Sequence, residues 1–179
     1  MSIEIEKKYR LSETQRDEIA SLLEEFGAEY EGERFEENIL YRNDDLIAKG
    51  ALLRLRRTDD GSFLTFKQHI ENASDAKQRI EFESGVDDAD EVRSIIESLG
   101  LSAALVYEKR RRTYRFRSVE VVFDELPFGL FMEIEGSLSG IAEAEMLLGI
   151  SALEIEHDTY PRLTVKFGDQ KDGVSVARF

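Results

Sequence analysis

The sequence predicts an α+β protein: a closed or nearly closed antiparallel β-barrel of about eight strands, with helices packed outside. Three observations lead there. Many segments alternate apolar and charged residues with the two-residue period of a strand. Several carry like-charged residues at i and i+2, hence on one face. Short turn signals separate these segments, as antiparallel pairing requires.

The opening stretch MSIEIEKKYRL reads as a strand with Ile3, Ile5, Tyr9 and Leu11 on one face and Glu4, Glu6, Lys8 and Arg10 on the other. SETQRDEIASLLEEFG follows as a helix. Ser12 is its N-cap with Gln15 three residues on, Gly27 stops it, and Ile19, Leu22, Leu23 and Phe26 share one face. Residues 28–43 read as extended. ALLRLRRT (51–58) and SFLTFKQHI (62–70) form a hairpin around Asp59-Asp60-Gly61. ENASDAK (71–77) is a loop and RIEFES a strand. DADEVRSIIESL (88–99) is a second helix ended by Gly100. Strands follow at 103–117, 118–126 and 130–137, with Pro127-Phe128-Gly129 turning the last two. Residues 139–149 suggest a helix, and 158–167 a short one opening near Pro161.

The chain has 179 residues, 41% hydrophobic and 35% charged, which suits a single domain over 1–179 with a sizeable core. It has no apolar run of the ~20 residues a membrane helix needs. No signal-peptide core is visible and cysteine is absent, so a cytoplasmic protein without disulfides or thiolate metal sites is expected. A net charge of −14 makes nucleic acid and anionic membranes poor partners. His69 and His157 share no ligand spacing, and no Walker loop or GxGxxG precedes a helix. In KRRR (109–112), alternation sends Lys109 and Arg111 to one face and Arg110 and Arg112 to the other.

The charged pairs carry the function. They are Glu4-x-Glu6-x-Lys8, Arg54-x-Arg56, Lys67, Arg79-x-Glu81-x-Glu83, Lys109-x-Arg111, Asp124 and Glu133-x-Glu135. Like charges at i, i+2 on one strand repel unless something bridges them. Divalent cations bridge carboxylates, and phosphates bridge Arg and Lys. A barrel that gathers these faces is a charged cavity suited to a polyanion together with hard metal ions.

The ordered set EIEKK, LRLR, TFK, IEFE, KRR, FDELPFG and MEIEG resembles the CYTH group, the triphosphate tunnel metalloenzymes, from Glu4 to about Lys166. That group includes class IV adenylyl cyclases, thiamine triphosphatases and inorganic tripolyphosphatases. The resemblance implies that Glu4, Glu6, Asp124, Glu133 and Glu135 hold Mg²⁺ or Mn²⁺. Arg54, Arg56, Lys67, Lys109 and Arg111 would hold the phosphate chain. Lys8, with Tyr41, would tune the attacking water or stabilise the leaving phosphate. Glu81 and Glu83 both match the middle acidic strand, and the sequence does not choose between them. At Tyr41 the pattern departs, because Arg42 and Asn43 follow where Asp is common. DTYPRL resembles a Ser-Tyr element on a closing helix, with Thr159 for Ser. The implied partner is a small triphosphate, bound by a monomer or homodimer. Hydrolysis of inorganic tripolyphosphate, thiamine triphosphate or a nucleoside triphosphate is the leading expectation. Class IV-type adenylyl cyclase chemistry and polyphosphate binding without turnover are the alternatives.

Overall fold

The computed structural model describes residues 2–70 and 77–179. In chain order its elements are β1 (Ser2–Leu11), α1 (Glu13–Glu25), β2 (Glu29–Arg42), α2 (Asp44–Ala48), β3 (Ala51–Thr58), β4 (Gly61–Ile70), β5 (Lys77–Val86), α3 (Ala89–Ser98), β6 (Ser102–Phe116), β7 (Val119–Leu126), β8 (Gly129–Glu135), α4 (Leu138–Leu148), α5 (Tyr160–Phe167), β9 (Asp169–Lys171) and β10 (Val174–Ala177). The loop expected at 71–77 lies, except for its last residue, outside the described residues.

The ten strands run in the order β2-β3-β4-β5-β1-β8-β7-β6-β10-β9, and β2 also pairs with β6. That pairing closes the first eight strands into an antiparallel barrel. The long strand β6 makes closure possible. One edge takes β2 along nearly its whole length, while the other takes β7 at Arg110–Phe116 and β10, in parallel, at Leu105–Tyr107.

Local chemistry explains the elements. Ser12 caps α1 as expected: the Gln15 N–H donates to Ser12 Oγ at 3.2 Å, and the Ser12 N–H donates to Gln15 Oε1 at 2.8 Å. Thr159 caps α5, with Pro161 in its first turn. The sequence reading missed α2, β9 and β10. Each is 3 to 5 residues long, too short for a periodic signal. It also ran strand through 117–118, where Arg117 and Ser118 form a tight turn with Arg117 at φ 55°. No glycine marks that left-handed position, so the turn has no local signature.

Three apolar clusters fix the architecture. Outside the barrel, α1 and α4 cover β1, β6, β7 and β8 through Ile19, Leu23, Ile141, Ala144 and Leu148, packed on Tyr9, Phe116, Val121, Met132 and Ile134. α3 covers β2 and β3 through Ile96, which meets Ile39, Tyr41 and Leu55. The third cluster lies inside. Tyr160 and Leu163 of α5 meet Leu40, Leu105, Tyr107, Leu126 and Phe131, all on inward positions, so α5 fills one end of the lumen. Gly168 lets α5 finish against β10, because a Cβ there would lie 2.6 Å from Thr164 O and 2.7 Å from Val176 O.

This placement corrects one expectation. Tyr41 does not face Lys8. On β2 the inward positions are Arg34, Glu36, Asn38 and Leu40, so Tyr41 turns outward beneath α3. Its hydroxyl is buried and has no hydrogen-bond partner among the described residues. An unpaired buried hydroxyl carries a desolvation penalty of ~1–3 kcal/mol. Tyr41→Phe should therefore melt at or above the wild-type temperature and keep full activity. A large loss of turnover in a folded Tyr41→Phe protein would contradict the outward placement.

Candidate active site

The barrel lumen holds a cavity of about 260 Å³. Its wall carries Glu4, Glu6, Lys8, Arg54, Arg56, Lys67, Glu81, Glu83, Lys109, Arg111, Glu133 and Glu135. Asp124 stands directly behind, fully buried. Arg34, Arg79, Glu120, Leu40, Leu52, Tyr107, Thr159, Tyr160 and Pro161 also line the cavity. Both candidate acids of β5 are therefore present in the wall.

Strand register explains how so many ions share one space. Lys67 lies directly opposite Glu81, Arg79 opposite Glu4, Arg111 opposite Asp124, and Lys8 opposite Glu133. Much of the charge on these strands is thus met by opposite charge on a neighbour, whereas Arg54 and Arg56 lie opposite Thr65 and Phe63 and find Glu83 one strand further on. The contacts follow. Lys67 Nζ lies 2.7 Å from Glu4 and 3.0 Å from Glu81. Arg79 donates to Glu6 at 2.7 Å. Lys8 Nζ is 3.3 Å from Glu133 and donates to the Asp158 carbonyl at 3.3 Å.

On the basic side, Arg111 forks Asp124 at 2.7 and 2.5 Å and reaches Glu133 at 2.8 Å. The Tyr160 hydroxyl donates to Asp124 Oδ2 at 2.7 Å. Lys109 bridges Glu36 at 3.3 Å and Asp124 at 3.4 Å. Arg56 forks Glu83 at 3.0 and 3.1 Å, and Arg54 lies 3.6 Å from it. Glu36, fully buried, also meets Arg34 at 3.2 Å and Arg56 at 3.7 Å.

Electrostatics follow from this packing. Burial alone would raise the Glu36 pKa, but Lys109, Arg111, Arg56 and Arg54 outweigh it and hold the carboxylate well below its usual range. Burial, then Arg111, lowers the Lys109 pKa despite Asp124 and Glu36. Burial, then Asp124 and Glu133, pushes the Tyr160 hydroxyl well above its ordinary value, so it remains a donor.

One row breaks the neutralising pattern. Glu6 lies opposite Glu135, and Glu135 opposite Glu120, so three carboxylates face one another across β1, β8 and β7. Glu135 makes no hydrogen bond or ion pair with any described residue. The residue is exposed to water at the mouth of the lumen's wall. Even so, the protein crowded around it strips hydration, and Glu4, Glu120 and Glu6 add repulsion that outweighs the attraction of Lys67; its pKa is pushed up to about 7. Among the described residues no three acids converge tightly enough to hold a metal ion. The donor chemistry nonetheless suits a hard divalent cation, which would cancel the uncompensated charge of this row.

Glu36, Glu120 and Tyr107 were not anticipated as site residues from sequence; Arg79 entered only as part of the charged run Arg79-x-Glu81-x-Glu83, and Tyr160 only within the DTYPRL element, neither with a role. Arg79 carries the opposite sign to its strand neighbours Glu81 and Glu83. Glu36 sits among other acids in GERFEEN, and only its parity with Arg34 and Asn38 marks it as inward.

A CYTH domain family model matches residues 2–160. The chain belongs to the CYTH family. Members of this family include triphosphatases and proteins named adenylate cyclases, and they are generally divalent-metal dependent. A Methanocaldococcus jannaschii protein named "Putative adenylate cyclase" is 29% identical over 169 residues, covering 89% of this chain and 94% of that one. The structure of the PH1819 protein from Pyrococcus horikoshii superposes with a TM-score of 0.75 at 25% identity, over 91% of this chain and 98% of that one. A Hippeastrum structure, HpAC1, described as revealing a dominant triphosphatase activity, superposes with a TM-score of 0.69 at 18% identity, over 93% and 96% of the chains. Among the described residues no helix of this CYTH protein is long and apolar enough to cross a membrane.

The Glu6–Glu135–Glu120 row predicts a pH dependence for the metal-free protein. Folded Glu135 keeps its proton up to about pH 7, whereas its ordinary value is 4.5. Between these values the folded state binds more protons than the unfolded chain, so stability falls as pH rises from about 4.5 to 7. Thermal melts in EDTA should show this decline in wild type and a smaller one in Glu135→Gln. Identical pH profiles for the two proteins would remove the carboxylate row as its cause.

Proposed function

We propose that this chain is a divalent-metal-dependent triphosphatase. The observation that carries the reading is the division of one lumen into a cation-rich wall and a row of three facing acids in which Arg79 pairs with Glu6 while Glu135 has no ion-pair partner among the described residues. Arg54, Arg56, Lys67, Lys109 and Arg111 would hold the phosphate chain, offsetting its charge and fixing its direction. Glu4, Glu6, Glu133 and Glu135 would hold Mg²⁺ or Mn²⁺, with Glu120 beside them. Asp124, forked by Arg111 and bonded by Tyr160, would enter that set by exchanging one of these donors. The bound cation would supply charge neutralisation and a water of lowered pKa. In the reaction, water oxygen bonds to the terminal phosphorus, the bridging P–O bond breaks, and orthophosphate leaves together with the shortened chain. Lys8 lies 3.3 Å from Glu133 and would donate to the oxygen that gains negative charge as that bond breaks.

The lumen favours the phosphate chain over an attached base. The rings that line the cavity, Tyr107 and Tyr160, are already engaged: Lys8 Nζ sits 3.6 Å from the Tyr160 ring centre, Phe131 meets that ring edge-on at 5.4 Å, and Tyr107 packs at 6.2 Å. We therefore place inorganic tripolyphosphate first among the substrates, ahead of thiamine triphosphate and nucleoside triphosphates. Adenylyl cyclase is the second reading, favoured by the name of the archaeal relative. There the ribose hydroxyl attacks the α-phosphorus, and the products are cyclic AMP and pyrophosphate.

Purified protein with Mg²⁺ or Mn²⁺ and each triphosphate in turn, with products identified, tests both readings. Orthophosphate release that stops in EDTA and returns with metal is expected. Cyclic AMP as the main product would transfer the assignment to cyclase, and full activity in excess chelator would sink the metal role.

Arg54→Ala and Arg56→Ala should each weaken triphosphate turnover by about ten- to a hundredfold, since each removes a charge-assisted contact of ~1.5–3 kcal/mol. Both should also melt lower, because buried Glu36 loses a compensating cation.

A further test separates parity from proximity. Glu133 faces the lumen, whereas Glu125, next to Asp124 in the chain, pairs outside with Arg110 at 3.4 Å and is 44% exposed. Glu133→Gln should lose most activity while remaining folded. Glu125→Gln should match wild type, a surface change within about ±0.5 kcal/mol. The reverse result would mean that the lumen face has been assigned to the wrong set of residues.

A further inference from the structure

We propose that Glu83 is a built-in counter-anion occupying the seat of one substrate phosphoryl group, and that an incoming polyphosphate must displace it. This rests on the triphosphate reading above and adds a gate to the same site. Arg54, Thr65 and Glu83 occupy consecutive cross-strand positions on β3, β4 and β5. Arg56 forks both Glu83 oxygens, at 3.0 and 3.1 Å. The Thr65 hydroxyl donates to Glu83 Oε2 at 2.7 Å and accepts from Arg54 at 3.3 Å. Two guanidinium groups and a hydroxyl thus converge on one carboxylate. The same donor set suits two oxygens of a phosphoryl group.

The donors are not saturated by this partner. Among the described residues the buried Nε atoms of Arg54 and Arg56 have no hydrogen-bond partner, so the pair retains capacity for a ligand with more oxygens than a carboxylate has. Glu83 is also the partner best placed to leave. Glu36, the other acid near Arg56, is fully buried and cannot reach water without an uncompensated desolvation cost. The Glu83 side chain is 30% exposed and can swing into solvent, where its charge is hydrated. The arginine pair is therefore kept neutralised in the empty lumen. It is released most readily to an anion that brings several phosphoryl charges at once, which favours a polyphosphate over orthophosphate and other small anions.

The test is calorimetric titration of inorganic tripolyphosphate, and of orthophosphate, into the whole protein in EDTA. Working without metal keeps any cation at the acid row out of the comparison. Glu83→Gln retains the shape and the Thr65 contact but removes the charge; Glu83→Asp retains the charge but withdraws it by one methylene. Both should bind tripolyphosphate more tightly than wild type, Glu83→Gln by about tenfold or more. The gain for orthophosphate should be proportionally larger. Two variants guard against one failing to fold, which thermal melts would show. If folded variants bind no more tightly than wild type while Arg56→Ala binds more weakly, the counter-anion role is wrong and the triphosphate reading stands. If neither wild type nor the variants bind tripolyphosphate, with or without Mg²⁺, both fall.

Discussion

Local charge neutrality inside a closed wall of strands is the constraint on which this molecule depends. Taking an unpaired ion out of water costs several kcal/mol even after relaxation. A lumen lined by acids and bases from every strand would unfold the barrel if the charges were scattered. The pairing register avoids this by setting Lys67 against Glu81, Arg79 against Glu4, Arg111 against Asp124 and Lys8 against Glu133. A slip of one residue on β1, β6, β7 or β8 would turn its charges into the apolar layer under α1 and α4. The charges therefore specify register as firmly as the core does. The exception, the facing acids Glu6, Glu135 and Glu120, marks where a cation from outside the chain would complete the balance.

The blocked end of the lumen follows from the same requirement. A barrel open at both ends would hydrate its ions and screen the field they create. α5 supplies the stopper, and its sequence shows how: Tyr160 and Leu163 face inward to the apolar ring of Leu40, Leu105, Leu126 and Phe131, while Val165 and Phe167 remain exposed. Tyr160 joins the two environments. Its ring packs against Phe131 and Tyr107, and its hydroxyl holds Asp124, which in turn orients Arg111. A strand-only barrel could not place a donor there, because strand side chains enter from the wall and not along the axis.

Much of the barrel was legible in the chain because strands with one ionic and one apolar face leave a period-two signature that no helix imitates. The capping box at Ser12 and the turn at Pro127-Phe128-Gly129 were equally plain. The charged positions on β1, β3, β6 and β8 show in the like-charged spacing. Like charges at i and i+2 need bridging, and across most of the wall the neighbouring strand already provides it. What could not be read was register. Tyr41 and Leu40 differ by one residue, and assigning which of them faces the lumen needs the partners Leu53 and Arg54 on β3. Glu36 was hidden for the same reason, being one of several acids whose inward direction only the barrel reveals. α5 announced itself as a helix but not as a plug, since its target is a ring of residues far away in sequence.

The fully buried ions Glu36, Lys109 and Asp124 raise a final question of economy. Stability alone does not explain them, because well-packed apolar residues of similar volume often serve a core as well or better than a buried ion pair. Their arrangement suggests another role. Glu36 touches Arg34, Arg56 and Lys109, and Asp124 touches Lys109, Arg111 and Tyr160, so each acid holds several cavity cations at fixed directions from beneath. A cation held from behind need not reorganise when an anion arrives in front, and preorganised charge of this kind is the largest contribution proteins make to reactions that build up negative charge. Replacing Glu36 by an apolar residue would leave the barrel a plausible fold, but with Arg56 and Lys109 repelling one another and free to turn aside. The buried acids thus spend stability on direction, and the direction they fix is toward the cavity where the remaining donors are still unpaired.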